Sequence, residues 1–231
     1  FLKQRVQKRQ HFFGFMFYDA VHAHESPVTL KTPFPSTSKI ANELLIPTNK
    51  QQQRIYKQSY QKAIYYVDGL VAQVLQSAKQ LGLEKNTVIM IMSDHGEEFN
   101  ETGQGFWGHN SDFTRYQTHT PLIIYWPGKK PKQFYYQTMH YDVMPTLMKY
   151  VLGVKNSMFD YSIGYDLFKP NPRKFMIIKN YSRTAIVTKH TITTIYPGGT
   201  IEVTNLDAKP LQKKPNYQQL GRAFVLMHHF G

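Results

Sequence analysis

The chain has 231 residues, of which 41% are hydrophobic and 14% aromatic, so it can bury a sizeable core and does not resemble a disordered protein. Its 28 Lys and Arg against 15 Asp and Glu give a formal net charge of +13, which favours phosphorylated substrates, anionic lipid or nucleic acid as partners. The basic residues are scattered and no nucleic-acid-binding motif accompanies them, so we expect no nucleic acid partner. The absence of cysteine excludes thiolate metal sites, disulfides and a cysteine nucleophile from this chain.

The first residues indicate a piece of a longer protein. Residues 1–10 carry neither a start signal nor the apolar centre of a signal peptide, and they are typical of a helix end that leads into a strand. Residues 11–18 form a continuous apolar run that ends at Asp19, which predicts a buried parallel strand.

A loop and a long helix are predicted next. Residues 25–53 contain four prolines and then a polar stretch, which is typical of a loop. Apolar residues then recur at three- and four-residue intervals and predict an amphipathic helix over residues 56–81, ended by Gly82. The residues of this stripe are Tyr56, Tyr60, Ile64, Val67, Val71, Val74 and Ala78.

The central region predicts an α/β arrangement. Residues 87–93 and 121–126 are short apolar runs that predict buried strands. Residues 141–152 predict a helix with Pro145 in its first turn, where a missing N–H is tolerated. Strands that alternate with helices predict a mostly parallel sheet with crossover connections.

The C-terminal part has a different pattern. Residues 175–179, 185–196 and 200–204 alternate and are rich in β-branched side chains, and residues 197–199 (PGG) predict a hairpin turn. Residues 220–229 predict a terminal helix. We therefore expect a core over residues 1–170, with residues 171–231 packed on it as antiparallel strands and a helix.

A candidate metal site follows the second predicted strand. Asp94 and His95 come directly after the apolar run, where the carboxyl ends of strands gather ligands in open α/β sheets. Together they offer a hard oxygen and an imidazole to a divalent cation. The alternative is that the pair only hydrogen-bonds within its own loop.

Two further histidines extend this candidate site. A glycine-rich loop leads from Glu97 to His109 and allows this second imidazole to return beside the first, although spacing alone favours an ordinary loop histidine. His22 and His24 follow the first predicted strand, also at a predicted carboxyl end. Histidines from two strands at one sheet edge are what a metal or oxyanion site needs.

Several phrases of the sequence resemble the sulfatase family of the alkaline phosphatase superfamily. Residues 93–128, which contain DHGE, then GH, then PLIIYWPG, are similar to that family's metal-loop segment, and residues 140–147, HYDVMPTL, to its HVDLxPTL helix start. Residues 12–24, FFGFMFYDAVHAH, resemble the strand and loop that line its anion pocket. Within the family the likeness is greatest to the YejM type, inner-membrane proteins with a periplasmic sulfatase-like domain, through FYDAVH, WGHNSDFTRYQT, DYSIGYDLF and IEVTNLD.

The resemblance implies a fold, a cofactor and residue roles. It implies an alkaline phosphatase-like α/β sandwich, with Asp94 and His95 as ligands of one divalent metal, which we expect to be Mg²⁺, Mn²⁺, Ca²⁺ or Zn²⁺. His109 would face the substrate or a second metal, and His22 would contact the anionic group. His119 and Arg115 are weaker candidates for that contact, and for Arg115 a structural ion pair is the favoured alternative.

The resemblance leaves two functions open. The first is a hydrolase or transferase of phosphate or sulfate esters, and the second is a non-catalytic domain that binds anionic lipid and regulates lipopolysaccharide or cardiolipin. The family's nucleophile and first acidic ligand precede the segment that matches residues 11–18, so we expect this chain alone to be inactive. The resemblance places the parent protein at the periplasmic face of the bacterial inner membrane, with its transmembrane region outside this chain.

Overall fold

The structure, a computed structural model, describes residues 1–35 and 46–229. The chain divides into two units, the first made of residues 1–91 and 122–130 and the second of residues 92–121 and 131–231. Residues 36–45 of the predicted loop lie outside the described part of the chain.

The first unit begins with a short helix and an apolar segment that is not a strand. Helix α1 (Leu2–Gln7) is followed by residues 11–18, to which the structure assigns no strand, and then by a 3-10 turn (Asp19–Val21). The predicted buried strand is therefore wrong here, and Phe13 is 82% exposed. An apolar run does not make a strand by itself, since a strand needs a neighbouring backbone to bond with and a layer to cover it.

The long helix of the first unit begins earlier than predicted. Helix α2 (Lys50–Gln80) starts after Asn49, whose side chain accepts a 2.9 Å hydrogen bond from the Gln52 N–H. The Gln52 side chain in turn accepts from the Thr48 N–H at 2.9 Å. Side chains therefore bond two backbone N–H groups at the start of the helix. The predicted loop is therefore wrong at residues 50–53. The predicted end is confirmed, since Gly82 follows in the left-handed conformation with φ 67°.

Four short strands follow along the chain: β1 (Ile89–Met92), β2 (Glu98–Phe99), β3 (Trp107–Gly108) and β4 (Leu122–Tyr125). β1 pairs with β4, and β2 pairs with β3 in an antiparallel hairpin. The predicted strands at 87–93 and 121–126 are thus confirmed in position. Their predicted burial is wrong, because Met92 is 41% and Ile123 60% exposed in a sheet of two strands.

The second unit contains the predicted helix with its early proline. Helix α3 (Arg115–Thr118) is a single turn, and helix α4 (Val143–Tyr150) follows a 3-10 turn (His140–Asp142). Pro145 is buried in the first turn of α4, as predicted.

The C-terminal strands form an antiparallel meander in the order β5 (Met176–Lys179), β6 (Thr184–Val187), β7 (Ile192–Ile195) and β8 (Ile201–Thr204). The single predicted strand at 185–196 is two strands, because Thr188 turns the chain by accepting the Thr191 N–H on its hydroxyl at 2.9 Å. Alternation places Ile177 and Ile186 on the face that packs against helix α5 (Tyr217–Met227). The opposite face packs against Phe113 of the loop before α3.

These strands and α5 belong to the same unit as residues 131–170. The predicted boundary at residue 170 stays a prediction. Within residues 1–35 and 46–229, no helix combines the length and apolar character needed to cross a membrane.

Candidate metal centre

The loop after β1 is held by hydrogen bonds at its first residues. The Ser93 hydroxyl donates to the His95 carbonyl at 2.6 Å, which closes a tight turn around Asp94. The Ser93 carbonyl accepts from His140 Nε2 at 2.8 Å. His140 lies 47 positions away in the sequence, so the start of the loop is tied to the segment that leads into α4.

Gly96 allows the next part of the loop to lie against α3. Its N–H donates to the Gln117 carbonyl at 2.8 Å, and its α-carbon lies so close to the Tyr116 carbonyl that a β-carbon would overlap it. The glycine after the Asp–His pair is therefore required for close backbone packing, and not only for flexibility.

The β2–β3 hairpin returns His109 to the same place. Glu98 pairs with Gly108 and Phe99 with Trp107, so the residue after β3 lies beside the residue before β2. The turn is closed by Asn100, whose side chain accepts the Gly105 N–H at 2.7 Å. Gly105 has φ 81°, a conformation that favours glycine.

The second unit thus brings His95, Glu97 and His109 together. The two imidazole rings stack with their centroids 3.9 Å apart and their planes at 25°. His109 Nδ1 lies 3.0 Å from Glu97 Oε2. One possible ligand atom from each of the three residues lies within 4.8 Å of the others.

Asp94 is at the edge of this group. Its side chain is 73% exposed, its Oδ1 accepts the His95 N–H at 3.0 Å, and its Oδ2 lies 3.8 Å from His95 Nε2. Glu97, by contrast, belongs to the centre, although the sequence motifs mark it only as part of the loop. Residues 95–97 lie in no strand, so no strand alternation marked Glu97 in the sequence.

The electrostatics of the centre favour a charged His109. The hydrogen bond that His109 donates to Glu97 raises the pKa of His109, burial lowers it, and the negative charges of Glu97 and Asp94 raise it further. The neighbouring Glu98 has a different role, since it is fully buried and accepts from the Thr114 hydroxyl at 2.6 Å and Gln117 Nε2 at 2.8 Å. Glu98 therefore holds the hairpin to α3.

The remaining predicted site residues belong to other elements of the chain. His22 is exposed after the 3-10 turn of the first unit, while His24 packs against Tyr56 with ring centroids 4.5 Å apart. Arg115 donates to the Tyr116 hydroxyl at 2.8 Å, so its hydrogen-bond partner is an aromatic residue. His119 ends α3 and is exposed. The predicted roles of these residues stay predictions.

The donor set fits a divalent cation. It combines two imidazoles with carboxylate oxygens, and the three inner residues are only partly accessible to solvent. These residues could hold the cation while one side of the group faces the exposed Asp94 carboxylate.

The fold and the family are both shown by comparison with known proteins. A family model described as Sulfatase matches residues 1–154, and the chain belongs to the sulfatase family. Its mixed α/β fold is the alkaline phosphatase-like one. Phosphonate monoester hydrolase of Agrobacterium radiobacter matches 78% of the chain with a TM-score of 0.59 at 19% identity, over 42% of its own length. An alkaline phosphatase superfamily protein from Vibrio parahaemolyticus matches 73% of the chain with a TM-score of 0.53 at 17% identity, over 42% of its own length.

The curated relatives are larger proteins of several kinds. The chain is 27% identical to the inner membrane protein YejM of Salmonella typhimurium over 170 residues, 73% of this chain and 28% of YejM. It is 31% identical to lipoteichoic acid synthase 1 of Bacillus subtilis over 129 residues, 53% of this chain and 20% of the synthase. Human iduronate 2-sulfatase is 39% identical over 77 residues, 33% of this chain and 14% of the sulfatase.

Proposed function

We propose that this chain is the part of a sulfatase-like domain that binds a divalent cation together with the anionic group of a phosphate or sulfate ester. The observation that supports it most strongly is the convergence of His95 and His109 beside Asp94 at the end of a strand, in a chain of the sulfatase family. A bound cation would neutralise the charge of the ester oxygens.

The side chains of this chain have distinct roles in the proposal. Asp94 and His95 are cation ligands. His109, which Glu97 keeps protonated to a higher pH than an ordinary histidine, donates a hydrogen bond or a proton to the ester oxygen that leaves. His22 contacts the anionic group, and this contact is the part of the proposal that rests on the family resemblance alone.

We further propose that the parent protein lies at the inner membrane of a bacterium, with this domain on the periplasmic side. The support is the likeness to YejM, which is described as an inner membrane protein. The excess of basic over acidic residues suits a position close to an anionic lipid surface.

Calorimetric titration of the full chain with phenyl phosphate, in the presence and absence of Mn²⁺, tests the ester site. We expect binding that depends on the cation and that weakens about tenfold in His109→Ala and His22→Ala, equivalent to roughly 1.4 kcal/mol. His190→Ala is the matched control, because His190 is an exposed histidine of the β6–β7 turn. Binding that is independent of the cation, or equal losses in all three variants, would contradict the proposal.

A second candidate function is the non-catalytic binding of an anionic lipid. A cleft of about 490 Å³ in the second unit supports it, and His140, which lines it, also donates to the Ser93 carbonyl before the Asp94–His95 pair. Its lining combines the apolar side chains of Met144, Ile163, Ile177, Leu226 and Met227 with the polar groups of Lys179, His140, Ser162 and two tyrosines. A cleft lined largely by apolar side chains and by one lysine suits an alkyl chain that ends in a negative group.

Dodecyl phosphate, added with EDTA present, distinguishes this candidate from the ester site. If the cleft holds the alkyl chain, Met144→Asp weakens the binding of dodecyl phosphate, while phenyl phosphate binding with Mn²⁺ is unchanged. Tyr135→Asp is the control, since Tyr135 is 86% exposed and does not line the cleft. Equal binding of dodecyl phosphate to wild type and Met144→Asp would exclude the cleft.

A further inference from the structure

We infer that helix α5 is a membrane-docking element, whose outer face lies on a bilayer surface that contains anionic lipid. The inference rests on the proposed location at the inner membrane and deepens it, because it names the part of this chain that contacts lipid.

The inner face of α5 packs within the protein. Leu220 and Ala223 are buried in one cluster with Ile177 of β5. Met227 packs against the same cluster. Positions three and four residues apart form a single stripe along a helix, so packing on the sheet accounts for this stripe.

A second apolar stripe lies on the outer side of α5. Tyr217, Phe224 and Val225 are 68%, 45% and 70% exposed, and the last two follow Tyr217 by seven and eight residues, about two helical turns. Gly221 lies between them, where an added β-carbon would meet no atom of the described residues within 4 Å. Helix propensity does not explain the stripe, since tyrosine, phenylalanine and valine form helices less readily than lysine or glutamate.

The charges around this stripe are all positive. Residues 208–229 contain Lys209, Lys213, Lys214 and Arg222 but no acidic residue, and all four basic residues are exposed. Lys213 and Lys214 lie just before the N-terminus of α5, where the helix dipole disfavours positive charge. The stability of the helix therefore does not account for them, whereas attraction to anionic headgroups does.

The combination of stripe and charge is typical of a helix that lies in the plane of a membrane interface. The ring of Tyr217 suits the headgroup level, since its apolar body can enter the bilayer while its hydroxyl stays in water. The 11 residues of α5 extend about 16 Å, roughly half the hydrocarbon thickness, so the helix lies along the surface and does not cross it. The inner stripe stays on the sheet during such contact.

Cosedimentation of the full chain with vesicles of phosphatidylglycerol and phosphatidylcholine tests the docking. We expect Phe224→Ser to weaken vesicle binding at least about tenfold, because it removes a ring that enters the interface. The double variant Lys213→Gln with Lys214→Gln should weaken it by a similar factor, because two cations close to the headgroups are lost.

Two control variants match these changes elsewhere in the second unit. Tyr181→Ser removes an aromatic ring that is 97% exposed in the β5–β6 turn. Lys155→Gln with Lys169→Gln removes two exposed lysines from the same unit. Each control should change vesicle binding less than about threefold, since charges beyond the Debye length are screened from the lipid.

A fluorescent label locates the contact directly. The chain has no cysteine, so an environment-sensitive nitrobenzoxadiazole label reacts only at a cysteine that is introduced. With phosphatidylglycerol vesicles, we expect its emission to shift to the blue in Val225→Cys and to stay constant in Tyr181→Cys.

Vesicle binding that is equal in wild type and the α5 variants, or no spectral shift at residue 225, would overturn the inference. A dimer without vesicles that Phe224→Ser dissociates would also overturn it, since a second copy would then cover the stripe. Thermal unfolding identifies a loss of fold in Phe224→Ser, and in that case Val225→Ser repeats the measurement. Vesicle binding through α5 without Mn²⁺-dependent binding of phenyl phosphate would contradict the proposed ester site alone. Vesicle binding that does not need α5 would contradict this inference alone.

Discussion

His109 Nδ1 donates a hydrogen bond to Glu97 Oε2. The bond raises the pKa of His109, and burial only partly opposes it. Because the folded-state pKa is raised above the unfolded value, the charge-dependent stabilisation is fully present below pH 6.5 and is lost as the pH rises through the folded value.

Removal of the Glu97 charge should therefore return the pKa of His109 towards its ordinary value of 6.5. In Glu97→Gln without metal, we expect the His109 ring signals in an NMR pH titration to change at lower pH than in wild type. The stability difference between the two proteins should shrink as the pH rises. An unchanged His109 titration would show that Glu97 does not control it, and the exposed His190 provides the internal reference.

His140 holds the start of the loop that follows β1. Its Nε2 donates to the Ser93 carbonyl at 2.8 Å, directly before Asp94. In the sequence His140 stands out only as part of a helix-start phrase, because nothing local connects it to a residue 47 positions earlier.

Replacement of His140 should thus change cation binding more than folding. We expect His140→Phe to weaken Mn²⁺ binding by several-fold, and His140→Gln, whose amide can donate the same hydrogen bond, to restore most of it. Calorimetry gives the affinities and thermal unfolding gives the stabilities. If both variants bind Mn²⁺ equally, the hydrogen bond to Ser93 does not position the loop.

At the scale of secondary structure elements, the loop that follows β1 depends on its contact with α3. The Gly96 α-carbon lies against the Tyr116 carbonyl, whereas a methyl group added to Gly221 inside α5 would meet nothing within 4 Å. The same substitution should therefore have opposite effects at these two glycines.

Gly96→Ala should lower the free energy of unfolding by about 1–3 kcal/mol, since the new methyl group forces the loop and α3 apart. Gly221→Ala should raise it by about 0.5–1 kcal/mol, because alanine restricts the unfolded chain and favours the helix. Urea unfolding measures both changes. Equal changes in the free energy of unfolding at the two positions would show that the space beside Gly96 can accept a methyl group.

The buried pair of Asp142 and Arg173 joins the start of α4 to the segment before β5. Their side chains are 1% and 6% exposed, and Asp142 also accepts the Met139 and Tyr165 N–H groups at 2.8 Å each. Asp142 therefore connects three separate parts of the second unit.

Loss of one partner should be strongly destabilising. We expect Arg173→Met to lower the free energy of unfolding by about 3–5 kcal/mol, because it leaves a buried carboxylate without its counter-charge. The double variant Asp142→Asn with Arg173→Met should recover part of this loss. Urea unfolding tests both, and a double variant less stable than the sum of the single changes would argue against charge burial as the cause.

At the scale of the whole molecule, the +13 charge should draw the protein to anionic lipid. We expect cosedimentation with vesicles that contain phosphatidylglycerol, weakened at roughly 0.5 M salt because the Debye length falls below about 5 Å. Vesicles of phosphatidylcholine alone are the control. Salt-independent binding to both vesicles would indicate apolar contact, for which the exposed segment 11–18 provides side chains.

Sequence patterns predict the elements whose cause is local. The stripe from Tyr56 to Ala78 predicts α2, since three- and four-residue spacing requires only a helix with one covered face. Alternation predicts the C-terminal strands for a similar reason. The prediction of a strand at residues 11–18 is wrong, because an apolar run does not show whether a neighbouring strand is available to pair with it.

The sequence by itself determined the family, the α/β character and the loop that carries Asp94, His95 and His109, because these depend on residue order and on short-range spacing. Only the tertiary structure decided that Glu97 lies 3.0 Å from His109, that His140 holds Ser93, and that Asp94 stays exposed. Those relations arise where the β2–β3 hairpin and the start of α4 meet the loop that follows β1. The burial of these side chains and the distances between their polar atoms depend on that packing, which no local sequence pattern specifies.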